Sequence, residues 1–176
     1  MSQRAEERRR QVLSYLKHQS QKSIAEMQAL VQEEWDRVGV LMEGLSQAQA
    51  AYTPGPDEWS IAHVVRHLTL SAQRGRERIG ALALGQAIQI PTQPGMLPSE
   101  EGAPFTQVAQ LFREATGALQ ELVEGLEPAA NLDMTSEHSF FGPLNWREWF
   151  VFQRLHGHDH TQQVEAIRAS PGFPSA

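Results

Sequence analysis

The sequence predicts an all-α fold, a four-helix bundle. Apolar residues recur at three- and four-residue steps through four long stretches, the two-residue alternation of strands is nearly absent, and clusters of Pro and Gly separate the stretches. No internal repeat longer than a heptad is present, which argues against a solenoid. A length of 176 residues with 40% hydrophobic side chains suits one domain with a sizeable core.

The first helix is read from Ile24, Met27, Leu30, Val31, Val38, Leu41, Met42 and Leu45, and Val12, Leu13 and Leu16 extend the same stripe backwards. Residues 1–20 are expected as a charged helical extension or a flexible segment, residues 21–170 as the bundle, and residues 171–176 as a tail. The segment YTPGPDE, residues 52–58, stops the helix with two Pro and one Gly. Ser60 then has the character of an N-cap, with Trp59 and Val64 placed as a hydrophobic staple. A second helix starts there and runs to about Leu84 through Val64, Leu68, Ala72, Ile79 and Leu82.

Residues 86–105, QAIQIPTQPGMLPSEEGAPF, form a long loop of the kind that either covers a site or simply crosses the surface. The third helix runs from about Thr106 to Leu126, with Val108, Leu111, Phe112, Ala115, Leu119 and Leu122 inward and Pro128 closing it. Residues 131–144, NLDMTSEHSFFGPL, lack a helical period and read as an extended segment ending in a Gly-Pro turn. Asn145 caps the fourth helix, Glu148 returns the bond, and Leu144 and Trp149 flank them as a staple. That helix runs to about Ala169, ahead of Pro171-Gly172. Short connections force antiparallel neighbours but the long one permits a crossover, so spacing alone leaves the winding order open.

A formal charge of −6 and a pI near 5.6 argue against a broad nucleic-acid footprint. The mixed-sign run RAEERRR, residues 4–10, reads as a solvated helix face rather than a basic arm. The absence of cysteine excludes disulfides, thiolate ligands and a Cys nucleophile, so any soft-metal site must be built from histidine. No secretory h-region and no apolar run near the roughly 18 residues of a membrane span are present. The expectation is a soluble cytoplasmic protein with neither nucleic acid nor membrane as partner.

The stretch LHGHDHTQQ, residues 155–163, holds three of the seven histidines. On a helix His156 and His160 differ by about 40° and lie one turn apart on one face, while His158 is about 200° from His156, where solvent is the expected neighbour. Trp149, Phe152, Gln163 and Ile167 fall within about 40° of His156, which places the pair in the core-facing stripe. Two buried imidazoles need partners, since an unsatisfied polar group costs about 1–3 kcal/mol, and one divalent metal serves both. A purification tag is excluded because the segment is internal and flanked by helix periodicity.

The HxxxH spacing recurs upstream in SIAHVVRHL as His63 and His67. The apolar stripe there centres on Val64, Leu68, Gly75 and Leu82, with His67 on its border and His63 about 40° further out. His67 is therefore the candidate third ligand. His63 is either a partner of a ligand or substrate, or an exposed side chain beside the helix start. The competing reading takes both pairs as ordinary histidines that bind nothing.

Together, PDEWSIAHVVRHL (residues 56–68) and HSFFGPLNWREWFVFQRLHGHDHTQQVEAI (residues 138–167) resemble the DinB-like (YfiT-type) superfamily of metal-dependent enzymes, over nearly the whole chain after about residue 20. In that family a Trp-Ser step precedes a helix with one ligand histidine, which Trp59 and Ser60 put at His67. The family's last helix carries HxxxH followed by Gln, here His156, His160 and Gln163. The resemblance implies a bundle with a crossover, a three-histidine site for a divalent metal such as Zn or Ni, and frequently a homodimer. It also implies either thiol-dependent S-transferases or isomerases, with bacillithiol, mycothiol or glutathione as a low-molecular-weight cosubstrate, or hydrolases. His138, which opens a segment ending at Gly142, matches a family feature that is either structural or part of the pocket.

Three neutral imidazoles leave a fourth coordination position for water or substrate, where a metal lowers the pKa of water or a thiol to near 7. A general base is harder to name. No Glu follows His156 as in HExxH proteases, and Asp159, about 60° away, either orients a ligand or lies at a helix interface. Arg74 and Arg78 share His67's side of the second helix, where they either meet an anionic substrate or pair with Glu77 or acids of the first helix. Trp59, Trp146 and Trp149 are expected to fill core. Two function classes follow: a metalloenzyme for a small molecule, acting by thiol transfer or hydrolysis, and a non-catalytic metal-binding or stress-related dimeric scaffold.

Overall fold

The structure is a computed structural model that describes residues 3–90, 95–98 and 103–175. Its elements in order are α1 (Gln3–Gln19), α2 (Ile24–Met42), α3 (Gln47–Ala51), α4 (Ile61–Ala83), α5 (Phe105–Glu124), β1 (Ser136–His138), β2 (Gly142–Leu144) and α6 (Trp146–Arg168). The bundle consists of α2, α4, α5 and α6. The second, third and fourth helices expected from the sequence are α4, α5 and α6.

The first expected helix is two, and the apolar stripe hides the break because α1 and α2 both turn apolar residues onto α6. A capping box starts α2 afresh: Glu26 N–H donates to Ser23 Oγ, and Ser23 N–H donates to the Glu26 carboxylate at 3.0 Å. From the far side Arg147 of α6 donates to Ser20 O at 2.6 Å, to Pro128 O at 2.9 Å and to Lys22 O. The break therefore leaves few orphan carbonyls. Two further pieces were not anticipated. Ser46 and Gln49 form a second capping box that starts the short α3, and β1 pairs antiparallel with β2 across the segment expected only as extended.

Helix directions follow from which residues meet. The start of α6 meets the start of α2 through Arg147 and Lys22, and Arg168 near its end donates to Leu41 O at 2.6 Å, so α6 is parallel to α2. Gln28 and Gln120 exchange side-chain to backbone bonds while Gln47 meets Phe105, so α5 is antiparallel to α2. His67 meets His156 while Arg78 lies over Trp149, so α4 is antiparallel to α6. Consequently α4 and α5 run the same way, and the connection after α4 must return the length of the bundle, about 35 Å for a 23-residue helix. This is the crossover, and it takes up the long Pro- and Gly-rich loop.

Two glycines set how closely α6 is approached. A Cβ at Gly75 would meet Gln153 Nε2 at 3.1 Å, and one at Gly157 would meet Glu34 Cγ at 3.2 Å. Glu34, on α2, is only 1% exposed and accepts a bond from Thr161 Oγ at 2.7 Å. The core between the helices is built on Trp146, Phe150, Phe112, Met27 and Leu119. No helix among the described residues is long and apolar enough to cross a membrane.

Replacing Arg147 with Met should lower unfolding free energy by about 3 kcal/mol in urea denaturation, because three carbonyls lose their donor at once. A loss under about 1 kcal/mol would mean that water replaces the guanidinium there.

Candidate metal centre

Three imidazoles converge between α4 and α6. His67 Nε2 lies 2.9 Å from His156 Nε2, which lies 3.2 Å from His160 Nε2, and one nitrogen from each ring falls within 4.8 Å of the others. Each Nδ1 is already engaged. His67 Nδ1–H donates to Gly95 O at 2.5 Å, and His160 Nδ1–H donates to Gln163 Oε1 at 2.8 Å. Ser71 gives its hydroxyl proton to Gln153 Oε1, so its Oγ accepts from His156 Nδ1–H at 3.1 Å. A carbonyl only accepts, so His67 Nε2 carries a lone pair, and the same logic applies to His160.

This arrangement can hold a metal ion. Tetrahedral ligation at 2.0–2.1 Å separates ligand nitrogens by about 3.3 Å, close to both observed spacings. Burial holds all three imidazoles below their ordinary pKa, His156 most strongly, and their mutual repulsion pushes His156 the same way. They are thus neutral near pH 7, the form that ligates a metal. Partners on the opposite ring nitrogens fix tautomer and orientation, as metal-ligating histidines require.

A family model described as the DinB superfamily matches residues 30–164. The chain belongs to the DinB superfamily. The crystal structure of TT2238, a four-helix bundle protein, matches with a TM-score of 0.62 and 19% identity, covering 82% of this chain and 99% of that one. That likeness is one of fold. No curated protein matches the sequence significantly.

In this DinB-superfamily chain the expected ligands His67, His156 and His160 are brought together, and other candidates separate from them. His63 closes the capping box of α4: its Nδ1 accepts from Ser60 N–H at 3.3 Å while its own N–H donates to Ser60 Oγ. Its HxxxH spacing with His67 thus reflects a helix cap. His158 points away from the site as expected and its side chain is 40% exposed, but it also reaches α2, with Nδ1 3.4 Å from Glu34 Oε2, because the side of α6 opposite the site borders a helix interface. Asp159 is exposed.

The rings line a cavity of about 340 Å³ that continues along α4 and α6 to Arg78 and Trp149. Trp59 stacks on His160 with rings 9° from parallel, and Phe152 stacks on His156 at 16°. The crossover covers the His67 side: besides the Gly95 carbonyl, Leu97 N–H donates to Arg66 O at 3.2 Å. Sequence reasoning did not reach Ser71, Gln153 or Gly95, whose partners lie far along the chain. Trp59 was expected to fill core, and only its place before Ser60 signalled the site.

His138 also lines the cavity. Its Nδ1 accepts from Phe140 N–H at 3.1 Å and Phe141 N–H at 3.2 Å, which leaves the proton of the neutral ring on Nε2. Burial and then the Arg78 charge push its pKa down to about 4. Between that value and the ordinary 6.5 the folded chain binds fewer protons than the unfolded one, so this stabilisation is full above pH 6.5 and fades as pH falls towards 4. NMR of the ring nitrogens should show neutral His138 in the Nε2–H form at pH 5, with protonation centred near 4. A midpoint near 6.5 would contradict that environment.

Proposed function

We propose that this chain is a divalent-metal-dependent enzyme in which His67, His156 and His160 hold the metal, and that it acts on a small molecule by thiol transfer or hydrolysis. The observation that carries the reading is the convergence of three imidazole Nε2 atoms whose Nδ1 partners are already in place. Held by these three residues, Zn or Ni would supply a Lewis acid able to bring the pKa of a bound water or thiol to near 7. A low-molecular-weight thiol is the proposed cosubstrate for the transfer chemistry.

The number of ligands argues for catalysis over a structural metal. Structural zinc sites close with four protein ligands, whereas among the described residues this cluster has three, all histidines, and it borders a cavity of ligand size. Trp59 and Phe152 keep the rings in place and displace water beside them. His138 offers an N–H to a bound substrate. A homodimer belongs to the same proposal and is read from the solution mass in sedimentation equilibrium.

Tag-free protein dialysed against Zn or Ni should retain about one ion per chain, the stoichiometry of one closed ligand set. His156→Ala should abolish retention and His158→Ala should preserve it. Ser71→Ala and Gln163→Ala should weaken affinity by about 10–100-fold, the usual effect of removing a ligand's hydrogen-bond partner. Equal uptake by His156→Ala and the parent chain would refute the site. Consumption of bacillithiol, mycothiol or glutathione with an electrophile, dependent on added metal, would assign the transfer branch.

A further inference from the structure

The far end of the cavity holds a buried cation without a countercharge among the described residues. Arg78 is 4% exposed, its guanidinium carbon lies 4.0 Å from the Trp149 ring centroid, and Nη2 donates to Ile90 O at 2.8 Å. Its Nε is buried with no hydrogen-bond partner, and no acidic side chain forms an ion pair with it among the described residues. Arg147 provides the contrast: 7% exposed, it donates to three carbonyls. Arg147 is saturated, whereas Arg78 leaves its Nε unpaired, as does the less buried Arg154, which lies outside the cavity.

Charge around it points the same way. Among the described residues no acidic side chain lines this cavity, where Arg74 and Arg78 share one wall. An unpaired buried charge is costly, and an anionic ligand would relieve that cost. A planar carboxylate matches a guanidinium better than any neutral group does. His138 lies close enough for the Arg78 charge to lower its pKa, and its Nε2–H has no protein acceptor among the described residues. Trp149 and His156 are two turns apart on α6, about 10 Å.

We propose that this end of the cavity is a carboxylate site: the substrate carries a carboxylate that Arg78 binds and His138 Nε2–H assists, about 10 Å from the three-histidine end. The proposal rests on the cavity being the substrate site, as the proposed function holds. It does not require a metal to be bound.

The test uses the full chain stripped of metal with a chelator, and three probes: 4-phenylbutyrate, its uncharged analogue 4-phenylbutanol, and 4-phenylbutyl phosphate. Calorimetry should give the carboxylate at least about a tenfold advantage over the alcohol, within the range of a charge-assisted hydrogen bond. The Arg78 Nε–H cross-peak should move with the carboxylate and stay with the alcohol. Arg78→Met should erase the preference, and His138→Phe should reduce it. If Arg78→Met does not fold, the cross-peak in the parent chain decides. Equal binding of acid and alcohol, no binding of either at millimolar concentration, or a preference surviving in folded Arg78→Met would overturn the proposal. Tighter binding of the phosphate would replace carboxylate with phosphate. A chain that shows the preference yet takes up no metal would refute the metalloenzyme reading alone, and one that binds metal without the preference would refute this proposal alone.

Discussion

The antiparallel seam between α4 and α6 forces three imidazole nitrogens into one small space, and the rest of the site is arranged around that constraint. The Nε2 atoms of His67 and His160 face His156 Nε2 at 2.9 and 3.2 Å, and with each neutral ring protonated on Nδ1 no proton lies among the three lone pairs. Without a cation, the cluster costs about 1–3 kcal/mol for each polar atom left unsatisfied. The core on either side outweighs this. Val64, Leu68, Phe150 and Val164 are almost completely buried, each contributing about 1.5–3 kcal/mol. Gly75 lets Gln153 approach, which in turn accepts from the Ser71 hydroxyl that orients His156. The hydrophobic seam thus holds a polar arrangement that would not assemble by itself.

Non-helical chain completes what the helices begin. Because α4 and α5 run the same way, the crossover must travel back along the bundle, and in doing so it places Gly95 O on His67. On the opposite flank, Arg9 of α1 donates to Phe140 O and Phe141 O, holding the turn of the β1–β2 hairpin. That turn donates two N–H groups to His138 Nδ1. Gly142, which closes it at φ 84°, adopts a conformation that a side chain would strain. An arginine from the mixed-charge N-terminal run therefore fixes the tautomer of a histidine in the cavity.

Much of this was legible because its causes are local. The N-cap at Ser60 and the capping box at Asn145 lie within four residues of sequence, and a four-residue spacing puts His156 and His160 on one face in any helix. His67 followed from its place on the border of an apolar stripe. Periodicity was silent where two causes produce the same pattern. The stripe through Leu16 and Met27 continues across a break because both helices face α6, and His63 repeats the ligand spacing while serving as a cap. Helical angle gives direction without naming the neighbour, so the outward, part-exposed His158 was assigned to solvent alone although Glu34 of α2 stands beside it. The partners of His67 and His156, and the unpaired state of Arg78, depend on contacts between distant segments that no local pattern encodes.

The central claim is that the three Nε2 atoms form the ligand set of a metal. X-ray absorption at the metal edge of protein loaded with one equivalent of Zn tests it most directly. The account predicts three nitrogen scatterers at about 2.0–2.1 Å with the outer-shell pattern of imidazole, plus one light atom. A first shell made of oxygen alone, or an imidazole pattern that persists unchanged when His67, His156 and His160 are all replaced by Ala, would contradict it.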